Sequence, residues 1–280
     1  MAKTKSKVSA KPSKPSLGPS KKYAGRPLGL DVSHHNGKVD WDKVKAAGVE
    51  FVFIKATEGG TYKDPQFNTL WNGAKKAGIR RGAYHFFRPG SPVQAQADNF
   101  VAAVKKLDAG CLPPVIDVEA PKLWEGISKK AAADMSIAFM EEGRRQLGSM
   151  PCITYAGFYF IRDQLGSDAR LANYPLWLAQ YRKSDPNVPK PFPTWTFWQF
   201  TETGSIDGIT GNVDLNYFNG TLAQLDAMTV SVALAKANAK AKAKARAEAK
   251  AKAAGADKAP VAKIKPTRCR APAKMSAAKK

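Results

Sequence analysis

Short runs of apolar, β-favouring residues recur along the middle of the chain: LGLDV (28–32), FVFIKA (51–56), RGAYHFF (81–87), PPVIDVEA (113–120), CITYA (152–156), PLWLAQ (175–180), WTFWQF (195–200) and VDLNYF (213–218). Eight runs of this length predict eight strands. Between the early runs the apolar spacing lengthens to that of amphipathic helices, over 42–47, 65–77, 91–107 and 128–147, with Gly48, Gly78 and Gly148 as stops. Strand–helix alternation implies βαβ units and a parallel sheet. Eight strands in so short a stretch predict a closed α/β barrel. A doubly wound open sheet is the alternative, weakened because no glycine-rich phosphate loop follows any strand. Beyond residue 150 the connections shorten and helical patterning thins, so the second half of the barrel is expected to be irregular.

The 44% hydrophobic content excludes wholesale disorder, and no apolar run reaches the length of a membrane-spanning helix. The formal charge of +22 is unevenly placed. Residues 1–26 carry +8 and residues 236–280 carry +13, leaving +1 for residues 27–235. Basicity is therefore a property of the tails. Three parts are expected: a disordered basic tail over 1–26, a barrel over 27–228, and a largely disordered Lys/Ala-rich tail over 229–280. In AKANAKAKAKARAEAKAKAAG, lysines four apart repel and no apolar stripe exists to dock a helix. The tail reads either as a solubilising segment or as an anchor for an anionic polymer; lipopolysaccharide, teichoic acid and nucleic acid all fit, since counterion release does not distinguish them. No aromatic residue lies within 236–280 to stack on a base.

Cys111, Cys152 and Cys269 are too irregularly spaced for a disulfide framework or a zinc site, and the first two are expected to be buried thiols. The N-terminus is basic but lacks the apolar core and cleavage site of a secretory signal, so synthesis in a cytoplasm is expected. His34 and His35 have no third ligand at a metal-like spacing and suit hydrogen bonding at a rim or substrate contact. His85 reads as a structural histidine. No G-x-S-x-G elbow is present. No cofactor or metal is expected.

Four acids fall at or near strand ends, where a β/α barrel builds its site. Asp31 ends the first run, Asp117 and Glu119 end the fourth, and Asp214 lies in the eighth. The strand pleat puts Asp117 and Glu119 on one face and Val118 on the other. Two carboxyls flanked by apolar residues desolvate and repel one another, which raises one proton affinity. A proton donor beside an anion is what cleavage of an acetal requires. Tyr84, Phe86, Tyr155, Trp177 and Trp198 lie near the same ends and offer stacking faces for sugar rings, although Phe86 and Trp195 read better as core.

The motifs GLDVSHHNGKVDWDKVKAAGVEFVFIKATEG, GAYHFF, PPVIDVEA, ITYAGFYF, LWLAQY, WTFWQF and NVDLNYFNG, in this order, resemble glycoside hydrolase family 25, the Chalaropsis-type lysozymes or N-acetylmuramidases, over roughly residues 29–225. The resemblance implies an irregular β/α barrel that hydrolyses the β-1,4 bond between N-acetylmuramic acid and N-acetylglucosamine in peptidoglycan, with retention. It implies Glu119 as general acid and Asp117 as the carboxylate that orients the reacting acetamido group. Asp31 and Asp214 would line the groove, and Tyr84, Tyr155, Trp177 and Trp198 would contact sugar. A monomeric phage-type endolysin that reaches the cell wall after release is the implied setting. No internal repeat of a wall-binding module is visible. Two other classes compete: a non-catalytic glycan- or polyanion-binding protein, and a nucleic-acid-associated protein resting on the tails alone.

Overall fold

A computed structural model describes Tyr23 and residues 25–104, 107–148 and 151–231. All eight runs form strands, and these close into a ring: β1 (Leu28–Val32), β2 (Val49–Glu58), β4 (Arg80–Phe86), β5 (Val115–Asp117), β6 (Ile153–Gly157), β7 (Leu176–Ala179), β8 (Phe197–Gly204) and β9 (Val213–Phe218), with β9 returning to β1. A two-residue strand, β3 (Tyr62–Lys63), pairs antiparallel to the end of β2 outside the ring. The fold is an α/β barrel with reduced helices in its second half.

One strand departs from the all-parallel expectation. β9 runs antiparallel to both β8 and β1, whereas the other six pairings of the ring are parallel. The cause is the connection, Ser205 to Asn212, which is too short for the crossover a parallel return needs.

Helices cover the first half: α1 (Trp41–Ala46), α2 (Phe67–Lys76), α3 (Val93–Val104) and α4 (Lys129–Leu147). Asp40 and Ser128 cap α1 and α4 by accepting from the Lys43 and Ala131 amides, and α4 ends at Gly148 in the left-handed region (φ 90°). Between β6 and β7 only single turns remain, and β7 to β9 are joined without a helix. A last short helix, α5 (Leu222–Ala227), follows β9. None of the described helices is long and apolar enough to cross a membrane.

Alternation along the strands separates two apolar regions. Val52, Ile54, Ile116, Val118 and Leu178 point outward into the layer beneath the helices. Phe51, Phe53, Val115, Ile153, Trp177, Phe197, Phe218 and Leu225 fill the interior. The ring is narrow, and two glycines make room for its largest side chains. A Cβ at Gly29 would lie 2.3 Å from the Phe51 ring, and one at Gly82 would lie 2.5 Å from the Phe53 ring. Trp195 is buried in the outer layer, and Cys111 and Cys152 are buried free thiols whose pKa burial pushes up to about 12. Cys269 and most of both basic tails lie outside the described residues, but the tails begin farther from the barrel than expected: Tyr23 and Val230 are buried against it, and the Val230 amide donates to Cys111 O at 2.8 Å.

Candidate active site

At the C-terminal mouth of the parallel strands a cavity of about 230 Å³ is lined by five carboxyl groups, those of Asp31, Asp117, Glu119, Glu202 and Asp214. The reversal of β9 is what brings Asp214 there. It is the second residue of its strand, so in a parallel β9 it would sit near the opposite end; running antiparallel, it pairs directly with Asp31. Glu119 lies two residues past the end of β5 rather than on it. Alternation nevertheless persists, because the Val118 amide still donates to Tyr155 O at 3.0 Å. Val118 is turned into the outer layer while Asp117 and Glu119 line the cavity.

Of the predicted sugar-contacting aromatics, Tyr84, Tyr155 and Trp177 line this cavity. Trp198 does not. It is fully buried on the outer face, edge-on to Tyr23 and Trp195, and its indole donates to Gln180 O at 2.8 Å. On β8 the inward positions are Phe197 and Gln199, so Trp198 belongs to the opposite parity. Phe86 is half-buried rather than core, with Lys55 Nζ and the Arg88 guanidinium each 4.9 Å from its ring centre.

Asp31 is held by neutral amides. Gln199 Nε2 and Asn216 Nδ2 both donate to its Oδ2, at 3.0 and 2.8 Å. Tyr155 and Tyr181 hydroxyls each donate to Gln199 Oε1 at 3.0 Å, and Trp177 Nε1 donates to Asn216 Oδ1 at 2.7 Å. Burial raises the Asp31 pKa to about 6, opposed by those amide bonds. Burial, then the Asp31 charge, raises Asp214 to about 8. The two acids therefore titrate as a coupled pair in which burial and mutual repulsion favour retention of a proton.

The second pair is less satisfied. Burial, reinforced by the Glu119 charge, holds Asp117 well above the usual carboxylate range, and its buried Oδ1 has no hydrogen-bond partner. Burial also raises Glu119; the Lys55 ammonium opposes this, and Asp214 and Glu202 add to it. Lys55 is itself buried and paired with Glu58 at 2.6 Å. Glu119 and Tyr155 also border a second, larger cavity of about 500 Å³, walled by Pro121, Phe158, Tyr159, Phe160 and Tyr181. Glu119 thus stands where an acidic hole meets an aromatic-lined groove, and the arrangement can deliver a proton to a polar bond spanning the two.

The histidines are placed as expected. His34 Nδ1 lies 2.7 Å from Asp64 at the rim. His85 is buried between Thr57 (2.7 Å) and Gln96 (3.0 Å), and burial lowers its pKa to about 4. Among the described residues no group of three or more His, Cys, Asp or Glu is arranged to hold a metal ion. Sequence reasoning missed Gln199, Asn216, Tyr181, Glu202 and Lys55. Parity could have found two of them: Gln199 and Asn216 are neutral amides at inward positions of buried strands, opposite one another, and Asn216 is two residues along β9 from Asp214, so each needs a polar partner inside.

Residues 30–209 match the profile of glycosyl hydrolases family 25. The chain belongs to that family. Among similar proteins, Lysozyme M1 of Streptomyces globisporus is 39% identical over 207 residues, covering 71% of this chain and 70% of that protein. An N,O-diacetylmuramidase from Chalaropsis sp is 32% identical over 201 residues, covering 66% of this chain and 95% of that one. The crystal structure of a bacterial lysozyme from Streptomyces coelicolor superposes with a TM-score of 0.70 at 38% identity, over 75% of this chain and 99% of that one. As a family 25 member the chain is a glycoside hydrolase, and the carboxyl-lined mouth is its candidate active site.

Proposed function

We propose that this glycoside hydrolase is a muramidase that cleaves the β-1,4 bond between N-acetylmuramic acid and N-acetylglucosamine in bacterial peptidoglycan. The observation that carries the reading is Glu119, a carboxyl of raised proton affinity at the junction of the two cavities, two residues from an Asp117 whose buried Oδ1 has no partner. Protonated Glu119 gives its proton to the glycosidic oxygen as the bond to the anomeric carbon breaks. Asp117 Oδ1 accepts the N–H of the 2-acetamido group, and the acetamido oxygen bonds to the anomeric carbon from the opposite face. Water then opens this cyclic intermediate, returns a proton to Glu119 and leaves the product with retained configuration. Asp31, Asp214, Tyr84, Tyr155 and Trp177 shape the sugar site.

Mass analysis of muropeptides after digestion of purified peptidoglycan tests the reading, with new reducing N-acetylmuramic acid ends expected. Glu119→Gln is expected to lower turnover by at least ~100-fold without changing the fold; retention of full activity would sink the assignment of the acid. Covalent trapping of a side-chain carboxylate would overturn acetamido participation. DNA retardation without wall clearing would favour the nucleic-acid-associated reading that rests on the tails alone. The finer setting belongs to the same proposal: a monomer acting at the wall after release as an endolysin, with residues 236–280 attracting it to anionic polymers by charge.

A further inference from the structure

The strand that supplies Asp117 ends there, so the backbone around Glu119 is held by other means. The Glu119 carbonyl accepts from Trp124 Nε1 at 3.0 Å. The next residue, Ala120, takes φ 55° and ψ 73°, a left-handed conformation that strains a side-chain-bearing residue. Its carbonyl accepts from the Leu123 amide at 2.9 Å, closing the single turn Pro121–Trp124 that returns the indole to Glu119. Trp124 is 1% exposed, stacked on Phe87 at 5.6 Å and edge-on to Phe160 at 5.5 Å. The Phe87 amide donates to Asp117 O at 2.9 Å. One buried cluster therefore holds the backbone of both acids; Trp124 and Phe87 line neither cavity, and Phe160 joins the cluster to the wall of the larger one.

We infer that Trp124 is a positioning residue: its indole N–H, together with the left-handed turn at Ala120, sets the direction in which the Glu119 carboxyl enters the junction of the two cavities. A buried indole needs an acceptor, and any carbonyl would satisfy it. What gives this bond a directional role is the backbone strain one residue beyond the acid, which persists only while its surroundings enforce it. The inference rests on the reading of Glu119 as the proton donor.

Trp124→Phe keeps the ring stack and removes the N–H. The expected result on purified peptidoglycan is a ~10–100-fold loss in kcat with KM within ~2-fold, because a misaimed acid impairs the chemical step more than binding. The alkaline limb of the pH–rate profile should also move to lower pH. A carboxyl released toward water loses the burial that raises its proton affinity, while Lys55 on β2 still favours its anion. Asp117 and Asp31, and Asp214 and Glu202 across the mouth, oppose that move, and Tyr84, Tyr155 and Tyr181 stay neutral through this range. Ala120→Gly, which accepts φ 55° without strain and keeps the indole bond, should retain the wild-type profile. If Trp124→Phe does not fold, Ala120→Val keeps the indole but resists the left-handed turn, and should shift the same limb. A folded Trp124→Phe enzyme with wild-type kcat and an unmoved alkaline limb would overturn the positioning role, as would an unmoved limb in Ala120→Val. Activity of Glu119→Gln would instead overturn the functional reading of the site.

Discussion

The floor and the mouth of this barrel are built from the same strands, two residues apart. On β2, Phe53 lies below Lys55; on β4, Gly82 below Tyr84; on β5, Val115 below Asp117; on β8, Phe197 below Gln199. β9 descends, so Asp214 is at the mouth and Phe218 at the floor. The floor is filled to the point where two strands can carry no side chain at their inward positions. The mouth gathers five carboxyls around one cavity and leaves a buried oxygen of Asp117 without a partner. One layer favours the folded state, and the other stores unfavourable electrostatics, the usual trade between stability and activity.

Asp117→Asn removes a carboxyl that burial and the Glu119 charge both disfavour. It is expected to lower kcat/KM for peptidoglycan by ~100-fold or more while raising Tm. Turnover assays beside thermal unfolding check both. A fall in Tm in step with activity would mean that Asp117 supports the fold and the two layers are not opposed. At the floor the expectation reverses. Gly82→Ala puts a methyl 2.5 Å from the Phe53 ring, which forces repacking at about 1–3 kcal/mol. Denaturant unfolding should show that loss, with the activity of the folded fraction unchanged within ~2-fold.

The floor was more legible in the sequence than the mouth, for a physical reason. Runs such as FVFIKA and WTFWQF announce strands because burial on both faces demands continuous apolar sequence, and Gly48, Gly78 and Gly148 announce helix ends because few other residues take the left-handed turn. The pleat also put Asp117 and Glu119 on one face. Strand direction was not legible from the runs themselves. The short link from β8 carried that information, and without it Asp214 could be brought to the mouth only by assumption. Parity along β8 was misread as well: Trp198 is the more conspicuous residue, but Gln199 is the one facing Asp31. Lys55 and Glu202 reach the site through the barrel's closure, which a local pattern does not encode.

The stored electrostatics should also be visible as a pH dependence of stability. Asp214, raised to about 8 in the folded state, and Asp31, raised to about 6, both ionise near 4 in the unfolded chain. In that window the unfolded state has released protons the folded state retains. The contribution to stability is therefore complete below about pH 4 and is lost as pH rises toward 8. Asp214→Asn, which cannot ionise, should raise Tm by a few degrees at pH 8 and leave it unchanged near pH 4, at about 2–4 °C per kcal/mol for a domain of this size. A gain of equal size at both pH values would show that the substitution acts through packing rather than charge.

The mouth cannot by its own charge draw the barrel to the wall. An opening lined by five carboxyls has no electrostatic attraction for an anionic wall polymer, and residues 27–235 carry only +1. The positive charge available for such attraction resides in the tails, with +13 over residues 236–280. Deleting that segment should leave turnover of soluble glycan fragments unchanged, since the acids and their supports all lie on the barrel. Adsorption to whole walls should fall by roughly tenfold near 0.01 M salt, where charges are felt over ~30 Å, and by little near 1 M, where the range is ~3 Å. Sedimentation of both forms with purified walls across that range measures it. Equal adsorption at every ionic strength would mean that the barrel surface recognises the wall without help from charge, and the acidic mouth would then have to be reconsidered as part of a larger contact face.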